Sequence, residues 1–214
     1  MIPTRGSRPT YGTNPISLAA PATENDSFVL DMATTTVALG KIELANRKGE
    51  NMPDGWGADN QGRMTNIPKE TIVDGGLMPL GGSEETGGYK GLGLGMMVEI
   101  FCGILSGSHY STQVRRWGTN QIEADLGQCF VAIDPDCFAP GFTDRLSDLH
   151  KIHRELQPAP TAEGSVNIPG DPEREHMKKC DELDGIPYHI NIVAHINKVA
   201  EDNGVAPMPF TTAN

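Results

Sequence analysis

What the sequence is short of narrows it first. Basic residues are the minority, 17 Lys and Arg against 28 Asp and Glu, for a formal net charge of −11. A surface of that sign repels phosphate backbones and anionic membranes, and no cluster of Lys and Arg reverses it locally, so nucleic acid is not an expected partner. An anionic small molecule is still allowed, because a few placed donors outweigh a screened background. Long apolar runs are missing too. The longest, Gly91 to Leu105, has Lys90 at its edge and Glu99 inside, and falls short of the roughly 20 residues a bilayer span requires. No membrane-spanning helix is expected. The opening Met1-Ile2-Pro3-Thr4-Arg5-Gly6 lacks the apolar region of a secretory signal, which makes the cytoplasm the expected location. The four cysteines (Cys102, Cys129, Cys137, Cys180) form no CxxC pair. A chain of this size folds without disulfide staples, so buried, reduced thiols are expected.

Several catalytic signatures are absent as well. There is no GxSxG of a nucleophile elbow. Gly91-Leu92-Gly93-Leu94-Gly95 begins like a dinucleotide fingerprint, but its third glycine would fall at Val98, and no strand-turn context supports it, so a Rossmann fold is excluded. Six histidines are present, yet no metal-ligand constellation forms around them. His150 and His153 lie three apart on one helical face and read as solvated.

What is present reads as a mixture of helices and strands. The block before Pro21, rich in Gly, Pro, Thr and Asn, favours loops and irregular strands. Ser27 to Ala33 reads as a strand and Thr35 to Arg47 as a helix. Asn51 to Asn66 reads as a structured surface loop anchored by Trp56. From Gly91 apolar residues fall on nearly every face, which predicts a helix buried on most sides. Gln128 to Asp134 reads as a strand stopped by Pro135. Phe142 to Leu156 places Phe142, Leu146, Leu149, Ile152 and Leu156 on one helical face, ended by Pro158 and Pro160. A charged helix over about 172–183 and a last helix reaching about Asn203 complete the chain. The expected division is a domain over 1–140 and a helical C-terminal segment over 141–214.

Three short motifs have chemical content. Lys90 sits at the start of the most apolar helix, where the positive end of the dipole disfavours a cation by up to about 1 kcal/mol. An anionic ligand held by Lys90 and the free N–H groups of the helix start would offset this; a solvated Lys on a glycine-rich turn is the alternative. Asp31-Met32-Ala33-Thr34-Thr35 combines a strand end with helix-capping residues. Gly12-Thr13-Asn14-Pro15 has the composition of an ordinary turn.

In order and spacing, however, these segments form a pattern. Gly12-Thr13-Asn14-Pro15, Asp31 to Thr35 leading into Gly40-Lys41-Ile42, Pro53-Asp54-Gly55-Trp56, Pro79-Leu80-Gly81-Gly82, Tyr89 to Leu94 and Pro169-Gly170-Asp171-Pro172-Glu173 together resemble the malate/L-lactate dehydrogenase family, which includes ureidoglycolate and sulfolactate dehydrogenases. The resemblance implies a non-Rossmann α/β fold of the sulfolactate-dehydrogenase type, a mixed β-sheet packed by helices. It implies an oxidoreductase using NAD or NADP on a small 2-hydroxy acid, working as a homodimer. It places Asp31, Met32, Ala33 and Lys90 along the cofactor, within a cofactor-binding domain over 1–140, and Gly12, Thr13 and Asn14 on the substrate side. Family chains extend further at the N-terminus, and that part carries the histidine taken as proton acceptor. The expectation is therefore a fragment without its catalytic histidine, with a non-catalytic nucleotide-binding or dimerisation domain as the alternative. Ser83-Glu84-Glu85-Thr86 departs from the pattern as a short insertion ahead of Gly87.

Overall fold

The computed structural model describes residues 1–116, 119, 121–162 and 164–211. They group into two compact units, 1–170 and 171–214. The helix Phe142–Arg154 lies within the first of these.

In the first unit the sheet content is small and antiparallel. β1 (Ile16–Ala20) pairs with β2 (Phe28–Met32), with Leu18 opposite Leu30. After β2 the chain reaches α1 (Leu39–Lys48), which starts four residues later than the periodicity predicts. The cause lies in the threonines. Thr36 donates its N–H to Met78 O at 3.0 Å and its hydroxyl to Pro79 O at 2.8 Å, while Thr35 Oγ1 donates to Val37 O at 2.7 Å. Side chains and N–H groups committed this way hold the segment extended.

The Trp56 region is structured, as expected, and contains short strands. β3 (Gly57–Ala58) pairs with β4 (Met64–Thr65) on one side and β5 (Gly76–Leu77) on the other. α2 (Pro68–Val73) lies between β4 and β5 in sequence, with proline in its first turn where no N–H partner is needed. The buried cluster is Val37, Ile42, Met52 and Leu77, and Leu39, Trp56 and Ile72 pack against it.

α3 (Gly88–Val98) continues into a π-helical turn, Glu99–Ile104. It is not buried on most sides. Gly88, Gly91 and Gly95 face inward, whereas Met96, Ile100, Phe101, Ile104 and Leu105 are exposed. The predicted strand at 128–134 does not form either. A strand requires a partner edge, and none of β1 to β5 pairs with this segment; Phe130 is 87% exposed and Val131 and Ile133 are exposed beside it. The thiols differ from expectation as well: all four are free, but Cys129 and Cys137 are exposed and Cys102 and Cys180 only half-buried.

α4 (Phe142–Arg154) is placed as the spacing predicts, but it turns its polar face to the chain. Ser147, His150 and Arg154 form that face. The Ser147 hydroxyl accepts Thr23 N–H at 3.0 Å and lies 2.7 Å from Thr23 Oγ1. Asp26 accepts Arg154 Nη1–H and Nη2–H at 2.7 and 2.8 Å and sits 3.1 Å from His150 Nδ1. His150 is therefore not solvated: it is 1% exposed, with its ring stacked on Phe28. The apolar side, including Phe142, Leu149, Ile152 and Leu156, is left exposed.

The Arg154 guanidinium, hydrogen-bonded to Asp26, holds its carboxyl at about 2, below the ordinary 3.8, and His150 acts in the same sense. A depressed carboxyl stabilises the fold above its unfolded-state value, and that contribution disappears as pH falls through the folded one. Asp26→Asn should therefore lower the melting temperature near neutral pH, and the gap from the parent should shrink between about pH 4 and about pH 2. Melting curves of both proteins across that range check this; a pH-independent gap would assign the cluster a role other than ion pairing.

In the second unit, α5 (Asp171–Glu182) opens with Asp171 and Glu173 in its first turn, where the helix dipole favours acids. α6 (Ile190–Asp202) is capped by His189, whose Nδ1 accepts Asn191 N–H at 3.2 Å. Among the described residues no helix is long and apolar enough to cross a membrane.

Candidate functional site

Thr34, which the sequence treats as one capping residue among several, is the junction of the site. It is fully buried. Its N–H and hydroxyl both donate to Thr13 O, at 2.9 and 3.0 Å, and the hydroxyl also lies 2.9 Å from Asn14 O. Its carbonyl accepts Leu80 N–H at 2.9 Å. α3 closes the junction from the other side. A Cβ at Gly95 would stand 3.1 Å from Thr34 Oγ1, and one at Gly91 would stand 2.3 and 2.4 Å from Leu80 N and O. Only glycine lets the helix approach this closely.

Four segments that the sequence singled out separately therefore meet: Gly12–Asn14, the run ending at Thr34, the Pro79–Leu80 turn and the glycine face of α3. Asn14 adds a second tie. Its backbone is left-handed, φ +41°, which asparagine tolerates better than most residues. Its Nδ2 donates to Gly95 O at 2.9 Å and to Glu99 Oε1 at 3.0 Å. Glu99 Oε2 in turn accepts Ser111 N–H at 3.1 Å, and Ser111 Oγ donates to Thr10 O at 3.1 Å. In the sequence Glu99 is the sole charge within the apolar run Gly91 to Leu105, a signal against a membrane span that also marks the residue out.

Asp31 and Met32 lie on β2, opposite Ser17 and Ile16. Asp31 is exposed, and Met32 and Ala33 are half-buried. They lead directly into Thr34. Lys90 stands in the first turn of α3, its N–H donating to Gly87 O at 2.9 Å. Its side chain is exposed, with Nζ 5.9 Å from the centre of the Tyr89 ring, and no ion pair to it occurs among the described residues. No side chain caps the helix start at Gly87. The structure does not connect Lys90 to Asp31 by any hydrogen bond or ion pair.

The insertion Ser83–Thr86 is folded tightly against the helix start. Gly88 N–H donates to Ser83 O at 2.7 Å, Gly87 N–H to Glu84 O at 3.1 Å, and the Thr86 hydroxyl to Gly81 O. Glu84 receives Arg5 through two hydrogen bonds of 2.7 Å. Beside this turn lies a cavity of about 170 Å³, lined among others by Thr4, Ala58, Met78, Gly82 and Glu84.

Most of the histidines have partners of their own, but His109 Nδ1 is buried without a hydrogen-bond partner among the described residues, and a Cβ at Gly103 would lie 3.0 Å from His109 O and 3.6 Å from Glu99 Oε2. His150 is held by Asp26, His153 Nδ1 lies 3.1 Å from Leu149 O, His189 caps α6, and His176 Nε2 lies 3.5 Å from Cys180 Sγ. His109 Nε2 is 3.9 Å from Asp125, and His195 is exposed on α6. Among the described residues no group of three or more His, Cys, Asp or Glu is arranged to hold a metal.

A family model described as malate/L-lactate dehydrogenase matches residues 1–197. The chain belongs to the malate/L-lactate dehydrogenase family. It is 38% identical over 208 residues to a malate dehydrogenase of Pyrococcus abyssi, covering 96% of this chain and 56% of that protein. It is 34% identical over 188 residues to a Delta(1)-pyrroline-2-carboxylate/Delta(1)-piperideine-2-carboxylate reductase of Pseudomonas putida, covering 87% and 51%. Its fold matches the sulfolactate dehydrogenase of Methanocaldococcus jannaschii with a TM-score of 0.74 and 29% identity, over 96% of this chain and 56% of that one. The α/β, sulfolactate-dehydrogenase-like fold is thus present, and the chain spans about half the length of the family members it matches.

Proposed function

We propose that these residues form the nicotinamide-binding and C-terminal part of an NAD(P)-dependent oxidoreductase that transfers a hydride between a small 2-hydroxy acid and NAD or NADP. The observation that carries this reading is the convergence on Thr34 of Gly12–Asn14, the run from Asp31 and α3. The residues suit a dinucleotide. Lys90 offers an exposed ammonium, a point charge that suits a phosphate, although the Gly87, Gly88 and Lys90 N–H groups of the helix start are already taken by the Glu84, Ser83 and Gly87 carbonyls; Asp31, Met32 and Ala33 supply the strand edge along which the rest of the cofactor would lie. When bound, the cofactor supplies a hydride acceptor or donor.

The chain's own residues then hold and orient. Lys90 neutralises phosphate charge, and Gly12, Thr13 and Asn14 line the substrate side. Oxidation of a 2-hydroxy acid removes hydride from its carbon and a proton from its hydroxyl, so a base must stand within hydrogen-bond reach of that hydroxyl. The histidine contacts described above provide none beside Asn14. In this reading the base comes from outside these 214 residues, and the cofactor-binding portion is 1–140. The exposed apolar faces of α3 and α4 and the segment 130–133 are surfaces that a second copy would cover in a homodimer. The cytoplasm is the compartment that suits such an enzyme.

The experiment is a turnover assay of the 214-residue chain with malate, lactate, sulfolactate and ureidoglycolate, run beside sedimentation at micromolar concentration. Self-associated protein without turnover is expected. Turnover of about 1 per second or faster would place the base inside this chain, and a clean monomer would remove the dimer. The alternative, a non-catalytic nucleotide-binding or dimerisation domain, rests on the same exposed surfaces; it requires that supplying the longer relatives' N-terminal portion restores no activity.

A further inference from the structure

The hydrogen bonds around Asn14 fix which way its amide points. Nδ2 faces two acceptors, Gly95 O at 2.9 Å and Glu99 Oε1 at 3.0 Å, so both amide hydrogens are engaged on the α3 side. Reversing the amide would set Oδ1 against a carbonyl and a carboxylate, leaving no donor for either. Oδ1 is therefore held on the opposite side, toward Gly12. A Cβ at Gly12 would sit 3.1 Å from it, so glycine there keeps this acceptor uncovered. Glu99 is in turn braced, because its other oxygen accepts Ser111 N–H at 3.1 Å. Glu99 occupies the first position of the π-helical turn, a type of distortion that recurs at functional sites.

We propose that Glu99 is a positioning residue that locks the Asn14 amide, so that Asn14 Oδ1 is presented as a fixed acceptor for a hydrogen-bond donor on the bound ligand. The shared chemistry is an N–H or O–H: the carboxamide of the nicotinamide ring, or the hydroxyl of the 2-hydroxy acid. This rests on the oxidoreductase reading, which places Gly12–Asn14 in the ligand cleft. It adds a selection rule to that reading, since a ligand without a donor at this point loses affinity and a carbonyl oxygen there is repelled.

Glu99→Gln tests it, because glutamine has one oxygen for two donors, Asn14 Nδ2 and Ser111 N–H. Either Asn14 loses its partner or the brace to Ser111 breaks, and the amide is freed to turn. The readout is ligand selectivity in binding, which a structural role alone would not change. The parent and E99Q proteins are titrated with NADH and with its 3-acetylpyridine analogue, which has no carboxamide N–H. Then, with cofactor bound, each is titrated with malate and with oxaloacetate. If the carboxamide is the donor, E99Q weakens NADH by about 3- to 10-fold, one neutral hydrogen bond, and leaves the analogue unchanged. If the hydroxyl is the donor, malate weakens by that factor and oxaloacetate does not. Equal losses for donor and donor-free ligands, or no losses at all in a folded variant, overturn the proposal.

Should E99Q not fold, the parent protein decides. The side-chain amide signals of Asn14 in a nitrogen-resolved NMR spectrum should shift with the donor ligand and not with its donor-free counterpart, and equal shifts overturn the proposal. If the parent protein binds none of these ligands, the oxidoreductase reading itself fails and takes this inference with it. Binding by the parent together with unselective E99Q overturns this inference alone.

Discussion

Lys90→Ala, made in a form of the protein that binds cofactor, is expected to weaken NAD(P)H about 10- to 150-fold, the equivalent of one charge-assisted hydrogen bond. Melting of the ligand-free protein should scarcely move. The two halves of that expectation have separate origins. The Lys90 side chain is exposed and its recorded partner is the ring of Tyr89, 5.9 Å away, so its removal takes little from the fold. A cation in the first turn of α3 also opposes the helix dipole, so removing it relieves a small unfavourable contact. Fluorescence titration beside ligand-free melting curves separates the cases. Unchanged affinity would make Lys90 a solvated residue on a glycine-rich turn, and a large drop in ligand-free melting temperature would make it structural.

Gly91→Ala is expected to have the largest effect on stability. The added Cβ would lie 2.3 to 2.7 Å from Leu80 N, O and Cα. These are backbone atoms that cannot swing away as a side-chain tip does, so α3 or the Pro79–Leu80 turn must move. Overpacking costs about 1–3 kcal/mol, and with immovable backbone atoms as the obstacle the upper end is expected here, a fall of roughly 6 to 12 °C in melting temperature for a chain of this length. Gly93→Ala, two residues along, is the internal control. Nothing lies within 4 Å of a Cβ there, and replacing a helical glycine by alanine stabilises by about 1 kcal/mol. Opposite signs at the two positions would establish that the glycines of α3 differ in role, one for close approach and one incidental. Similar effects at both would contradict the packing described at the Thr34 junction.

Local chemistry was legible in the sequence where a segment's environment lies within the segment. The strand at 28–32, the helix at 142–154 and the helix at 171–182 appear close to their expected bounds, because alternation, periodicity and proline stops are local signals. Trp56 anchors its region for the same reason. What escaped depended on distant partners. α1 starts late because Thr36 is hydrogen-bonded to Met78 and Pro79, more than forty residues on by the chain numbering. Gln128 to Asp134 has the composition of a strand, but composition does not supply an edge to pair with. α4 has the apolar stripe that periodicity detects, yet a stripe records only that a surface is apolar. It does not say which neighbour covers it, and here the polar side, through His150 and Arg154, meets Asp26.

The site divides in the same way. Gly12–Asn14 and the run from Asp31 could be singled out as motifs, and the structure brings them together at Thr34. Their cofactor and substrate roles are proposals that the Lys90 and Glu99 variants examine. Thr34 itself was visible only as a capping residue, since its two hydroxyl contacts, Thr13 O and Asn14 O, are some twenty positions back in the chain. Glu99 stood out as a lone charge in an apolar run. Its link to Asn14 needed the fold, which sets residues 85 apart in sequence 3.0 Å from each other.

The most direct measurement is the titration of NADH and NADPH, separately, into the 214-residue chain, followed by nicotinamide fluorescence. Saturable binding of at least one of them is expected below about 1 mM, a free energy of about −4 kcal/mol or better, reversed by excess oxidised cofactor. Absence of saturable binding of either, in protein that melts cooperatively, would contradict it.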